Sequence, residues 1–479
     1  MAEHQRSQLV LQLRSRVTCP HCWHTFPPDS ILWISAHEDL RGDPVAGDDE
    51  QQRFLPTHFS VSGHAIDARG EICRHLACPR CHLSVARSLL EMRPLLISIL
   101  GSPSSGKSYF LASMVWQLRN TLQESFGLDF HDSDTLANDI LTRYLQMLFH
   151  SDREDDLVAL PKTEQEGELY QSVFISGRQV WYPRPFVFAV QPTESHPGFA
   201  KRQIYSRALC LYDNAGEHFL PGHESSSSPG TQHLAHSEAL LFMFDPMQHP
   251  QLRRACRQVT KDPQARMADM VHHQDQILRE AANRIRDFTG LAQTEKYTRP
   301  LIVVVTKFDA WCRLSGLKTL STSHVVRPVR EGLCALDLDA LHRVSNHVRS
   351  LLKKYARDIV AAAEGFASHV LYIPVSAQGC SPELDRSTGA LAVRPRDIKP
   401  MWAELPLLYA LNQVAPGIVR AGQRAARARR TGGQGPSPRL DAAPPSPPSD
   451  APSPPQSGKA SPPQPDEAQE PRIWRETGS

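Results

Sequence analysis

The sequence predicts an α/β fold: a doubly wound sheet, mostly parallel with one antiparallel edge hairpin, preceded by a cysteine-paired module and followed by a tail without a core. Three observations carry this. Short apolar runs alternate with helical periodicities through the middle of the chain. A glycine-bounded loop joins the first such run to the first helical stretch. Near the N-terminus two Cys-Pro-x-Cys turns stand apart from five scattered cysteines, and 13 of the 39 prolines lie between Pro436 and Ser479.

Taken in order, Pro94 to Leu100 is an apolar strand closed by Gly101, and Leu111, Val115, Leu118 and Leu122 then recur on one helical face. Phe186 to Val190, Ala208 to Tyr212, Ala239 to Phe244, Leu301 to Val305 and Val370 to Val375 read as further strands. Ile277, Ala281, Ile285 and Phe288 mark a helix over His272 to Phe288. The runs at 186–190 and 208–212 lie close enough to pair as the antiparallel edge hairpin, and no internal repeat interrupts the alternation. Residues 420–479, rich in Pro, Ser and Ala, cannot bury enough apolar area to offset their ordering entropy, so a disordered, partly polyproline tail is expected there. Ile473 and Trp474 are its sizeable apolar residues near the end and read as solvated.

Composition narrows the function classes. The 479 residues carry 53 Lys+Arg against 51 Asp+Glu, a formal charge of +2, which gives no electrostatic reason to expect nucleic acid or an anionic membrane as the main partner. No run of 18 apolar residues occurs, and Met1 to Val17 has no signal-type apolar core, so a cytoplasmic protein without a membrane span is expected.

Gly101-Ser-Pro-Ser104-Ser105-Gly106-Lys107-Ser108 satisfies GxxxxGK[ST] at every defined position, between a strand and a helix as the chemistry requires. The glycines let backbone N–H groups point inward at phosphates, with Tyr109 next in the chain. Lys107 adds a point charge on the β- and γ-phosphates, and Ser108 offers a hydroxyl to Mg²⁺. Further along, Asp213 closes the strand 208–212 where it can hold Mg²⁺ through water, and Gly216 follows where its N–H can meet a γ-phosphate. Thr306-Lys307-Phe308-Asp309 follows the strand 301–305, and Ser376-Ala377 follows the strand ending near Pro374. All four motifs fall at the C-terminal ends of strands, where folds of this kind bind ligands.

In this order the residues resemble a translation-factor-related, Ras-like P-loop GTPase over roughly residues 92–418. The resemblance implies a P-loop NTPase/GTPase doubly wound sheet and the cofactors GTP and Mg²⁺. It also implies that Asp309 accepts from guanine N1–H and the 2-amino group, that Lys307 packs its stem along the base, and that Ala377 offers its N–H to guanine O6. Adenine reverses that donor pattern and would leave Asp309 unpaired. Two features depart from the pattern. Glu217 stands where such enzymes carry a water-orienting glutamine, followed by His218, so intrinsic hydrolysis is expected to be slow and to need a partner. More than a hundred residues separate Ser108 from Asp213, and within them Thr163 is the candidate first-switch threonine.

Cys19-Pro-His-Cys22 and Cys78-Pro-Arg-Cys81 can close a tetrahedral Zn²⁺ site with four thiolates, although the 55 intervening residues exceed the usual ribbon spacing. Four sulfur ligands leave no open position for water, so structural rather than catalytic zinc is expected. His21, His24, Cys73, His75 and His82 lie nearby in sequence and could substitute for a ligand, although outer-sphere or surface roles are expected for them. His233, His236, His272 and His273 read as ordinary helix-face residues.

The full layout, a zinc ribbon over 1–88, a P-loop GTPase domain over 92–418 containing LYDNAGE, Phe244-Asp-Pro246 and TKFD, and the tail 420–479, looks like the bacterial double-GTPase family. That resemblance implies a partner GTPase or GTPase-associated protein within a bacterial conflict system. The expected function is a GTP-binding switch that hydrolyses GTP to GDP. The rival is a non-hydrolysing nucleotide-binding scaffold whose ribbon and tail dock proteins, and an ATPase is the third alternative.

Overall fold

The computed structural model describes residues 13–161, 169–214, 219, 231–267, 273–317, 320–330 and 332–422. Seven strands form the central sheet: β1 (Arg93–Gly101), β2 (Leu128–Asp132), β3 (Phe186–Pro192), β4 (Arg207–Asp213), β5 (Ala239–Phe244), β6 (Leu301–Val305) and β7 (Val370–Pro374). Their spatial order is β2-β3-β4-β1-β5-β6-β7. From β4 to β7 every pairing is parallel, whereas β3 runs antiparallel to both β2 and β4. The strands 5 and 6 are buried at every position, which fits near-continuous apolar runs covered on both faces.

The antiparallel pair forms in the expected segments, with Phe186 opposite Leu211 and Val190 opposite Arg207. It is not the edge hairpin, however, because β2 continues the sheet beyond β3. β2 reads Leu-Asp-Phe-His-Asp, with Leu128 and Phe130 buried and Asp129 and His131 exposed. Five residues with only two apolar ones, following directly on a long helix, hide such a strand in the sequence.

Helix α1 (Lys107–Phe126) packs on β1 and β2, and α2 (Asp139–Phe149) packs on α1. Gly127 in the left-handed region ends α1, its N–H bonded to Leu122 O. Beyond β4 follow α3 (His233–His236), α4 (Pro250–Cys256), α5 (Gln274–Thr289) and α6 (Phe308–Ser315). The helices α7 (Leu338–Tyr355), α8 (Arg357–Phe366) and α9 (Leu405–Val414) complete the cover. Ala421–Gly422 pairs with the strand Leu333–Asp337, and the rest of the expected tail, 423–479, lies outside the described residues.

The cysteine-rich N-terminal region packs on one face of this sheet. Leu209 and Leu211 join the main core, whereas Ala208, Cys210 and Tyr212, alternating with them along β4, share an apolar cluster with Val17, Cys19, Trp23, Phe26 and Leu83. A hairpin of Tyr170–Ile175 and Arg178–Pro183 contributes Val173 and Tyr182 to the same cluster.

Candidate functional site: a glycine loop, a cleft of small-ligand size and a four-cysteine centre

β1 delivers Gly101 beneath β5, and a Cβ there would lie 2.7 Å from Met243 O and 2.9 Å from Met243 Cβ, so only glycine lets the strands meet. Gly106, at φ +90°, turns the chain into α1, and Ser104 also occupies the left-handed region at φ 57°. The Lys107 ammonium is buried and donates to Gly101 O at 3.1 Å and Ser102 O at 2.9 Å, lying along the loop it would share with phosphate. Ser105 Oγ is buried without a hydrogen-bond partner among the described residues. Asp213, at the end of β4, is buried as well, and its Oδ1 has no partner among them. Burial pushes its carboxyl up to about 6, with Lys107 opposing the shift. Uncompensated buried oxygens of this kind are costly unless a ligand or ion meets them.

At the other end, Lys307 sits at φ 54° and turns β6 into α6. Its ammonium reaches Asp245 Oδ2 and Gln264 Oε1, which fixes the alkyl stem along the cleft wall. Asp309 Oδ1 accepts from Ser376 Oγ at 2.5 Å, and Ser376 Oγ in turn accepts from Gly379 N at 2.8 Å. Burial pushes the Asp309 carboxyl up to about 6, opposed by the Ser376 hydrogen bond.

One cavity of about 530 Å³ is lined by residues from both ends. Ser104, Ser105, Gly106, Lys107, Ser108 and Tyr109 form one side, and Thr306, Lys307, Asp309, Ser376 and Ala377 form the other. Residues separated by some 270 positions in the sequence therefore surround one space of small-ligand size. Gly101 lies under the loop, and Asp213 stands outside this lining within electrostatic reach of Lys107. Thr163, Gly216, Glu217 and His218 lie outside the described residues. Leu160 and Pro161, shortly before Thr163, line the cavity, and Leu160 N donates to Tyr109 OH at 3.0 Å.

Three glutamines that carry no signal in the sequence tie the two ends together. Ser102 Oγ donates to Gln248 Oε1 at 2.5 Å, and Gln248 Nε2 donates to Pro103 O at 2.8 Å. Gln274 brackets the backbone of Asp245, accepting from its N–H at 2.8 Å and donating to its C=O at 2.9 Å. Gln264 shares the Lys307 ammonium with Asp245. Lys307 and the Phe244-Asp-Pro246 run are the parts of this corner that the sequence shows.

The four cysteines 19, 22, 78 and 81 are buried, and their sulfurs all lie within 4.8 Å of one another. Cys19–Cys81 and Cys22–Cys78 are 3.7 Å apart. A tetrahedron with metal–sulfur bonds of roughly 2.3 Å has edges of about 3.8 Å, so the spacing suits Zn²⁺, whereas a disulfide needs roughly 2.0 Å. The two turns repeat each other. Trp23 N donates to Cys19 O and His82 N to Cys78 O, Trp23 and His82 both have φ 55°, and backbone N–H groups of His21 and Arg80 approach the Cys19 and Cys78 sulfurs at 3.4 Å. Burial and contact with the other three sulfurs push the Cys19 thiol well up, a direction a bound cation would reverse. His82 instead pairs with Asp43 at 2.8 Å, His21 bonds Ser84 O and Pro183 O, and Cys73 faces Asp67.

No protein-family profile matches the chain. It is 25% identical over 250 residues to a Mycolicibacterium smegmatis protein, SaeC, provisionally designated an ESX-1 scaffolding and assembly protein; the match covers 49% of this chain and 58% of that one. The chain thus spans less than two thirds of the length of the curated relative it matches. Among solved structures it is similar to Aquifex aeolicus Era bound to GDP·AlF4⁻, at 12% identity over 60% of this chain and 53% of that one, TM-score 0.22. It is also similar to the S. cerevisiae Ski7 GTPase-like domain bound to GTP, at 14% identity over 69% and 51%, TM-score 0.28. Likenesses this loose carry no argument about the site.

Proposed function

We propose that the chain is a Mg²⁺-dependent guanine-nucleotide switch that binds GTP in the 530 Å³ cleft and hydrolyses it to GDP by in-line attack of water. The observation that carries the reading is the convergence of the phosphate loop and of Lys307, Asp309, Ser376 and Ala377 on that one cleft. Lys107 and the loop N–H groups would take the phosphates, Ser108 and Asp213 the Mg²⁺, and Gly216 the γ-phosphate. Asp309 and Ala377 would read the guanine edge, and Thr163 would close the first switch. The buried oxygens of Ser105 and Asp213, unpartnered among the described residues, support a polar ligand at this end. Structural zinc on the four cysteines completes the ribbon. Glu217, in place of a water-orienting glutamine, would keep the intrinsic rate low, and a partner GTPase or GTPase-associated protein in a cytoplasmic bacterial conflict system would accelerate it.

A second reading, a non-hydrolysing nucleotide-binding scaffold, is favoured by the scaffolding and assembly designation of the M. smegmatis relative. One experiment separates the two: binding of GTP, GDP and ATP with Mg²⁺, followed by phosphate release over hours. Tight guanine-nucleotide binding with release supports the switch, binding without release supports the scaffold, and ATP preference refutes the guanine reading.

A further inference from the structure

Between the four-cysteine centre and the nucleotide cleft runs a set of buried contacts that neither site accounts for. Tyr212, the residue before Asp213 on β4, is 1% exposed, and its hydroxyl donates at 2.6 Å to the carbonyl of Pro20, inside the Cys19–Cys22 turn. The Tyr212 ring stacks on His233 with centroids 4.7 Å apart and planes 11° apart. His233 is fully buried, which corrects its reading as a helix-face residue. Its Nε2 lies 2.7 Å from Asn214 Oδ1, and its Nδ1 lies 2.6 Å from Ser98 Oγ on β1. Asn214 donates through its own Nδ2 to Ile99 O at 3.2 Å, so its Oδ1 faces the ring and His233 Nε2 carries the hydrogen. Three residues along α3, His236, exposed at the surface, stacks on the buried Trp23, the residue after Cys22, at 5.2 Å and 7°. The Cys19–Cys22 turn therefore grips β4 and α3 together, immediately behind Asp213.

We propose that Tyr212 and His233 are positioning residues through which metal binding at the four cysteines strengthens nucleotide binding at the cleft. The proposal rests on the nucleotide reading of that cleft. A cation joining Cys19 and Cys22 to Cys78 and Cys81 fixes the turn that holds the Pro20 carbonyl. Through Tyr212 and His233, the fixed turn holds the end of β4, with Asp213 and Asn214, in one position against β1. When the turn is loose, the strand end gains freedom that nucleotide binding must remove, so the two ligands favour each other without touching. The coupling is reciprocal: the factor by which metal raises nucleotide affinity is the factor by which nucleotide raises metal affinity.

The test uses the full chain, zinc-loaded or stripped with chelator, and the Tyr212→Phe variant, which deletes the Pro20 hydrogen bond and keeps the ring on His233. GDP affinity is read with a fluorescent analogue, and zinc release into excess chelator is followed with a metal dye, with and without saturating GDP. Stripping is expected to weaken GDP binding about tenfold, a coupling of about 1.4 kcal/mol, and GDP is expected to slow zinc release from the wild type. Zinc-loaded Tyr212→Phe is expected to hold one zinc per chain, to bind GDP as weakly as the stripped wild type, and to release zinc at a rate that GDP no longer changes. A general packing defect would not remove that GDP dependence selectively. If zinc-loaded Tyr212→Phe matches the wild type in both readouts, the coupling is refuted while the nucleotide reading stands. If the zinc-loaded wild type binds no GDP, the nucleotide reading fails and the coupling with it.

Discussion

Replacing Asp309 by Asn tests how the cleft chooses its base. In the reading above, the carboxylate accepts from guanine N1–H and from the 2-amino group, held in place by the Ser376 hydroxyl at 2.5 Å, itself anchored by Gly379 N. Hydrogen bonds to a charged partner contribute about 1.5–3 kcal/mol each; Asn keeps a neutral acceptor for N1–H but turns a donor toward the 2-amino group, so losing one bond outright and the charge on the other costs about 2–4 kcal/mol, or roughly 30- to 10³-fold in affinity. With its carboxyl pushed up to about 6, Asp309 is still roughly nine-tenths ionised at pH 7, so the wild type has the full acceptor to lose. The Asn amide presents one acceptor and one donor, which suits xanthine, whose carbonyl replaces the guanine amine. Isothermal titration of both chains with GDP, XDP and ADP reads the outcome. The reasoning predicts a GDP loss in that range and a clear gain for XDP, and a variant that holds GDP within threefold of the wild type, or gains nothing for XDP, refutes it.

The same carboxyl gives a pH dependence. If guanine bonds the ionised form, as in the reading above, GDP affinity should stay level from pH 8 to 7 and fall as pH drops through about 6, approaching tenfold per unit below it, and Asp309→Asn should flatten that profile. Without nucleotide the sign reverses. Because the folded carboxyl binds its proton more tightly than an ordinary one, its contribution lowers stability as pH rises from about 4 to 6, which thermal melting at several pH values measures. At the other centre, metal analysis should return about one Zn per chain and none after Cys19→Ser with Cys22→Ser, accompanied by a fall in Tm of roughly 5–10 °C.

Features whose physics is local were legible in the sequence. A strand betrays itself by an apolar run, as in Leu301–Val305, and a glycine loop between a strand and a helix by residues within eight positions of one another. A metal turn likewise shows itself by two sulfurs on one CPxC bend, so the mixed α/β architecture and the four-cysteine cluster could be expected before any coordinates. Among the described residues no helix is long and apolar enough to cross a membrane, in line with the missing apolar runs.

Only the tertiary structure decided the rest, because those features depend on burial and on partners far away in the chain. β2, half polar, becomes a strand because β3 offers it a ladder. Gln248, Gln264 and Gln274 look like any surface glutamine until the fold removes their water and leaves the phosphate loop, Lys307 and Asp245 as their partners. His233 is read as a helix-face residue from its sequence and is placed by packing between Tyr212, Asn214 and Ser98. The place of the cysteine-rich region on the β4 face is likewise a matter of shape: two CPxC turns announce a cysteine cluster, whereas the alternation of Ala208, Cys210 and Tyr212 gains its meaning from what the fold lays against it.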